Sequence, residues 1–158
     1  MTARTIQDST RLSEPVELRN MQGDVYVTLQ QKLHYIEAKW YGHISADEIV
    51  CAALAYLDLL RLSGCPRLMN DKTEVTGDWQ DVNDWIQFEW LPKATEAGLR
   101  CFAHVYSQNM FSRLSARDLC MRVSPLLQMQ NFDDREEAEI WIMQCNTSYT
   151  PPGRAASA

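Results

Sequence analysis

Six carboxylates crowd a short segment in the middle of the chain. Asp71, Glu74, Asp78, Asp81, Asp84 and Glu89 lie within 19 residues, with Lys72 the one lysine among them. Hard cations such as calcium want several carboxylate oxygens, so the segment invites a metal reading. The spacing argues against it, because the glycine and terminal glutamate of a calcium loop are missing. Asp78, Asp81 and Asp84 instead sit near the start of a predicted helix, where the macrodipole favours negative charge. No metal and no cofactor is expected.

A second chemistry-bearing group lies along one predicted edge. Asp71 closes a short predicted strand, and open α/β sheets place ligands at the carboxyl ends of parallel strands. Thr73, Thr76, Gln108 and Asn109 would share that edge. Hydrogen bonding within a strand-to-loop turn accounts for Asn70 and Asp71 equally and is the simpler reading. A third group is aromatic: Trp79, Trp85, Phe88 and Trp90 on one predicted helix. Trp79 and Trp90 are eleven residues apart, close to three helical turns, so they share a face. The core takes this stripe, or a partner or an apolar ligand takes part of it.

The three histidines, His34, His43 and His104, form no i, i+4 pair, and His104 suits a satisfied core position. No nucleophile elbow, phosphate loop or dinucleotide fingerprint is present, and no catalytic residue is expected. The five cysteines are scattered and lack a C-x-x-C pair, which argues against a disulfide framework and a zinc site. Cys51, Cys101 and Cys145 fall in apolar patterns and read as buried free thiols.

The chain has 158 residues, 46% of them hydrophobic and 23% charged, which suits one globular domain. Its net charge of −6, from 15 basic against 21 acidic residues, opposes nucleic-acid binding. No apolar run is long enough to span a bilayer, and the N-terminus has no apolar signal core. The expectation is a cytoplasmic protein.

The elements that position these residues follow from periodicity. Residues 1–22 read as a loose arm. Alternation predicts strands over 24–31 and 33–40, paired as a hairpin, with Gly42 ending the second. Ser45-Ala-Asp-Glu48 is a capping box that opens a helix to about Ser63, stopped by Gly64 and Pro66. A short strand is predicted over 67–71 and a loop over 72–78. A helix follows over 79–97, capped by Asp78 and kinked at Pro92. Residues 99–106 form a strand apolar on both faces, as a sheet covered by helices requires. Residues 107–113 read as a loop, with a short helix from Ser115, a strand over 126–132 and a helix from Asp133. Residues 146–158 read as a disordered tail, leaving 23–145 as the domain. The class is α/β: a mixed four- to five-stranded sheet with an opening antiparallel hairpin, covered by helices.

That order resembles the STAS domain of bacterial anti-sigma-factor antagonists, and more closely the STAS-like proteins related in fold to CRAL-TRIO lipid-binding domains. The residues carrying the likeness are Trp40-x-Gly42, Asn70-Asp71, Trp79, Trp85, Trp90-Leu91-Pro92, Ala97-Gly98-Leu99, Phe132, Ala138 and Trp141. It spans roughly residues 24–145. STAS antagonists carry a phosphorylatable Ser or Thr in an Asp-Ser-Ser-Gly-like turn. Here the corresponding stretch reads Asp71-Lys-Thr-Glu-Val-Thr-Gly77, which does not reproduce the motif and leaves Thr73 and Thr76 as hydroxyl candidates. The resemblance implies a non-enzymatic bacterial module acting through protein contact, expected as a homodimer. The CRAL-TRIO kinship and the aromatic surplus imply an alternative, a carrier of a small apolar ligand or lipid. That carrier would need a pocket of a few hundred cubic ångströms, beside Trp85, Phe88 and Leu91.

Overall fold

The fold is described from a computed structural model, over residues 14–150. Six strands form one sheet in chain order: β1 (Val16–Arg19), β2 (Val25–Gln31), β3 (Ile36–His43), β4 (Arg67–Thr76), β5 (Cys101–Val105) and β6 (Gln128–Phe132). The first three pair antiparallel, and β3 to β6 run parallel. The expected mixed sheet with its opening hairpin is present, with six strands in place of four or five. The extra strand, β1, arises within the stretch expected as a loose arm. Four residues with one half-buried side chain leave little periodic signal to read. Residues 1–13 and 151–158, the remainder of the arm and most of the tail, lie outside the described residues.

Four helices follow. Helix α1 (Ala46–Ser63) has the expected capping box: Ser45 Oγ accepts from the Glu48 amide at 3.2 Å, and Glu48 Oε1 accepts from the Ser45 amide at 2.8 Å. Gly64 ends it with φ of 66°, a left-handed turn that glycine adopts without steric penalty. Helix α2, residues 80–96, is not uniform. It passes from a 3-10 turn (Gln80–Val82) through Asn83–Trp85 and a π turn (Ile86–Trp90) to an α-helical end (Leu91–Glu96). The distortion falls before Pro92, which lies in the first turn of the final segment, where its missing amide hydrogen is not needed. Helix α3 is Met110–Val123 and α4 is Arg135–Gln144.

Several boundaries move, each for a local reason. β3 runs through Gly42 to His43, because β4 continues beside it as far as Thr76. The expected loop over 72–78 is therefore mostly strand. Helix α3 starts before Ser115: Asn109 caps it, accepting from the amides of Phe111 and Ser112. Ser115 is buried inside the helix. Asp134, one residue later than expected, caps α4.

The three connecting helices cover one sheet face, where the large apolar cluster includes Leu29, Trp40, Tyr56, Trp79, Trp90 and Leu119. Among the described residues the C-terminal α4 alone covers the other face, over Met69, Ala103, Val105 and Phe132. There Cys101 and Cys145 are joined in a disulfide with Cα atoms 6.2 Å apart. This corrects the free-thiol reading: one cysteine lies on β5, next to the edge strand β6, and the other just past α4, a closeness that sequence spacing cannot show. Cys51, expected buried, is exposed.

Candidate functional site

Strand alternation decides where β4 sends its side chains. Leu68 joins the large cluster and Met69 the smaller one on the opposite face. Continuing that alternation, Asn70 and Lys72 face the three-helix side, and Asp71 faces α4. Two polar centres result, one on each face.

On the three-helix side lies a cavity of about 50 Å³. Its floor is sheet: Leu29, Ala38, Trp40, Leu68, Asn70, Lys72 and Phe102. Its roof comes from Ile49, Ala52, Ala53 and Tyr56 of α1, Ile86 and Trp90 of α2, and Leu119 and Val123 of α3. Ile86 and Trp90 are the two ends of the π turn. Such turns widen a helix locally and recur at functional sites.

Lys72 is the unusual residue in this wall. It is 2% exposed, yet no carboxylate among the described residues pairs with it. Its Nζ lies 3.4 Å from the Trp79 ring centroid and 4.8 Å from that of Trp40. An ammonium on desolvated aromatic faces gains about 2 kcal/mol. Stripping it of water costs several kcal/mol. Desolvation wins, and burial holds the Lys72 amine well below the usual lysine range.

The polar groups around it form a chain. Trp40 Nε1 donates to Asn70 Oδ1 at 2.6 Å, and Asn70 Nδ2 lies 3.1 Å from His104 Nδ1. With Nδ1 accepting, the imidazole proton belongs on Nε2, which has no partner. Burial holds His104 well below its ordinary value and keeps it neutral. Tyr56 lines the cavity and also leaves its buried hydroxyl unpartnered.

This predicts an outcome for stability. An amine depressed in the folded state binds fewer protons there than in the unfolded chain. Stability should therefore rise with pH from the folded value up to about 10.4, the unfolded lysine value. Lys72→Met removes that slope. It should also stabilise the protein at neutral pH, by about 1.4 kcal/mol for each pH unit between the unfolded lysine value and the higher of the folded value and pH 7. Denaturant unfolding of both proteins at several pH values measures it.

The α4 side holds an ion network. Arg135 donates to Glu37, to Asp71 at 2.9 Å and to Glu139 at 3.2 Å. Lys39 reaches Asp71 at 3.2 Å and Glu74 at 3.4 Å. Burial pushes the Asp71 carboxyl up, but the hydroxyl and amide of Thr73, Lys39 and Arg135 together hold it below the usual range.

The expected site residues are dispersed. Asp71 lies inside a strand as the anchor of that network. Thr73 and Thr76 are exposed on the outer part of β4. Asn109 is a helix cap and Gln108 is exposed. Trp79 and Trp90 are buried, Trp85 is half-buried, and Phe88 is 66% exposed. The cavity is not lined by Trp85, Phe88 or Leu91, the residues expected to border a pocket. The cavity lies against other side chains, and its volume falls well short of a few hundred cubic ångströms. Lys72 and Tyr56 went unread. Once β4 is carried past Asp71, alternation alone puts Lys72 on the apolar face with Leu68, and that signal was in the sequence.

No family model matches the chain, and no curated protein matches it. Among solved structures it is similar to an uncharacterised protein of the DUF3478 family from Shewanella loihica PV-4, which has a SpoIIAA-like, that is STAS-like, fold. The similarity covers 73% of this chain and 91% of that one, at 15% identity and a TM-score of 0.47. No described helix is long and apolar enough to cross a membrane.

Proposed function

We propose that this protein is a binding module for a small apolar molecule with a hydrogen-bond-accepting oxygen, held in the cavity beside Lys72 and not turned over there. One observation carries the reading: a buried lysine without a counter-ion among the described residues lines an apolar cavity. Buried polar groups are ordinarily partnered. Both wall residues Lys72 and Tyr56 carry donors for which no acceptor is found among the described residues, so an oxygen acceptor complements them. An engineered cavity of about 150 Å³ takes benzene, so the cavity of about 50 Å³ suits a group of only a few heavy atoms. Native mass spectrometry of gently purified protein tests this. An added small mass that disappears on denaturation supports the reading. A bare protein mass that stays bare after incubation with short aliphatic amides, ketones and acids opposes it.

A second reading, a STAS-like contact module working as a homodimer in the cytoplasm, draws on a different surface. Met110, Leu114 and Met121 form an exposed stripe on α3, with exposed Phe111 adjoining and exposed Phe88 on the neighbouring α2. In this reading Thr73 or Thr76 would accept a phosphate. Its charge would meet Asp71 and Glu74, so the switch would act by repulsion. A dimer by light scattering that Leu114→Glu converts to monomer supports the reading. A monomeric wild-type protein removes the dimer from it, and partner binding unchanged by Thr73→Glu and Thr76→Glu removes the switch.

A further inference from the structure

We propose that Lys72 is an amine nucleophile that captures a small carbonyl compound as an imine inside the cavity. The inference rests on the cavity being a binding site and adds the chemical class of its occupant.

Three observations point to it. Lys72 has no carboxylate partner among the described residues, and its surroundings are the rings of Trp40 and Trp79. Burial without such a partner keeps the nitrogen lone pair free, the condition for a nucleophilic lysine. Lys72 is also a wall residue of the cavity, whose lining is mostly apolar, and an apolar wall suits the hydrocarbon part of a short aldehyde or ketone. Tyr56 lines the same cavity and carries a buried hydroxyl without a partner among the described residues, a donor suited to a carbonyl oxygen. The groups with hydrogen-bonding work elsewhere are already occupied: Asn70 is held between Trp40 and His104.

The step balances without a co-reactant. The Nζ lone pair adds to the carbonyl carbon, and the carbon–oxygen π electrons move to oxygen. The two amine protons pass to that oxygen, which leaves as water while the carbon–nitrogen double bond forms. Hydrolysis reverses it, so capture is reversible and nothing is oxidised or reduced.

The chain has four lysines, Lys32, Lys39, Lys72 and Lys93, so the site of capture can be read directly. Wild-type protein is incubated near neutral pH with propanal and cyanoborohydride, which reduces imines to stable amines. Labelled peptides are then quantified over time. Lys72 is expected to be labelled more than about tenfold faster than the other three, since each unit of lowered pKa raises the neutral amine fraction about tenfold. Labelling of Lys32, Lys39 and Lys93 without Lys72 would overturn the inference. Propionamide, which has the carbonyl shape but forms no imine, separates the two levels. If it shifts NMR signals of the cavity residues while Lys72 stays unlabelled, binding stands and imine capture falls. If neither occurs, both fall.

Discussion

Breaking the Cys101–Cys145 link is expected to cost about 4 kcal/mol. The two cysteines are 44 residues apart, and closing a loop of that size removes denatured-state entropy on that scale. The loss should concentrate on α4. Among the described residues that helix alone covers its face of the sheet, and the link ties the chain just past its end to β5. Cys101→Ser and Cys145→Ser should each lower the urea midpoint, and the double variant should add little, because the interaction is shared. Hydrogen exchange should show α4 amides opening first. A thiol count under denaturing, non-reducing conditions gives the state directly. Three of the five cysteines are free in the linked form. A purely cytoplasmic setting keeps such pairs reduced, and five would then react.

The second large effect is expected at Arg135. Arg135→Met leaves Glu37 and Asp71 in a largely water-free site, their side chains 13% and 4% exposed. Removing one member of a buried pair costs about 3–5 kcal/mol. Lys39 still reaches Asp71 and Lys32 still reaches Glu37, so the lower end, about 3 kcal/mol, is expected. The same network gives an acid dependence of known sign. The Asp71 carboxyl is held below its ordinary value in the fold. Its stabilising contribution is therefore complete above about pH 4, the unfolded value. It is lost as the pH falls below that toward the folded value. Asp71→Asn should be less stable at neutral pH and should lose that part of the acid dependence. Chemical denaturation of wild type and variant across pH 3 to 6 reads out both.

How far the sequence carried this picture depended on the kind of signal. The parallel section with its connecting helices, the capping box at Ser45 and the stop at Gly64 rest on periodicity and local hydrogen bonding, and these were legible. Strand β1 was not, since a short exposed edge strand has almost no pattern of its own. The π turn in α2 was invisible for a related reason. Pro92 announces a disturbance, but packing over the cavity decides the form it takes. The disulfide depends on a contact between β5 and the end of α4 that no local rule contains.

The site failed at one step. Ending β4 at Asp71 turned Lys72 into one more loop charge beside acidic neighbours and made Asp71 look like a ligand-edge residue. Five further residues of strand reverse both roles. Lys72 enters the apolar side, where its nearest company is Trp40 and Trp79. Asp71 turns to α4 and becomes structural. Trp85 and Trp90 lie on the expected helix while Trp79 falls just before it, and Trp79 and Trp90 spend their surface on the core. Phe88 is left outside with the α3 stripe.

The central claim is that the space beside Lys72 accepts a ligand. Methyl NMR of the wild-type protein titrated with a short aliphatic amide tests it most directly. The account predicts saturable shifts at Ala38, Ile49, Ala52 and Ile86, which line the cavity, with Leu114 and Met121 on the outer face of α3 unmoved. Shifts confined to α3, or no shift at saturating amide, would contradict it.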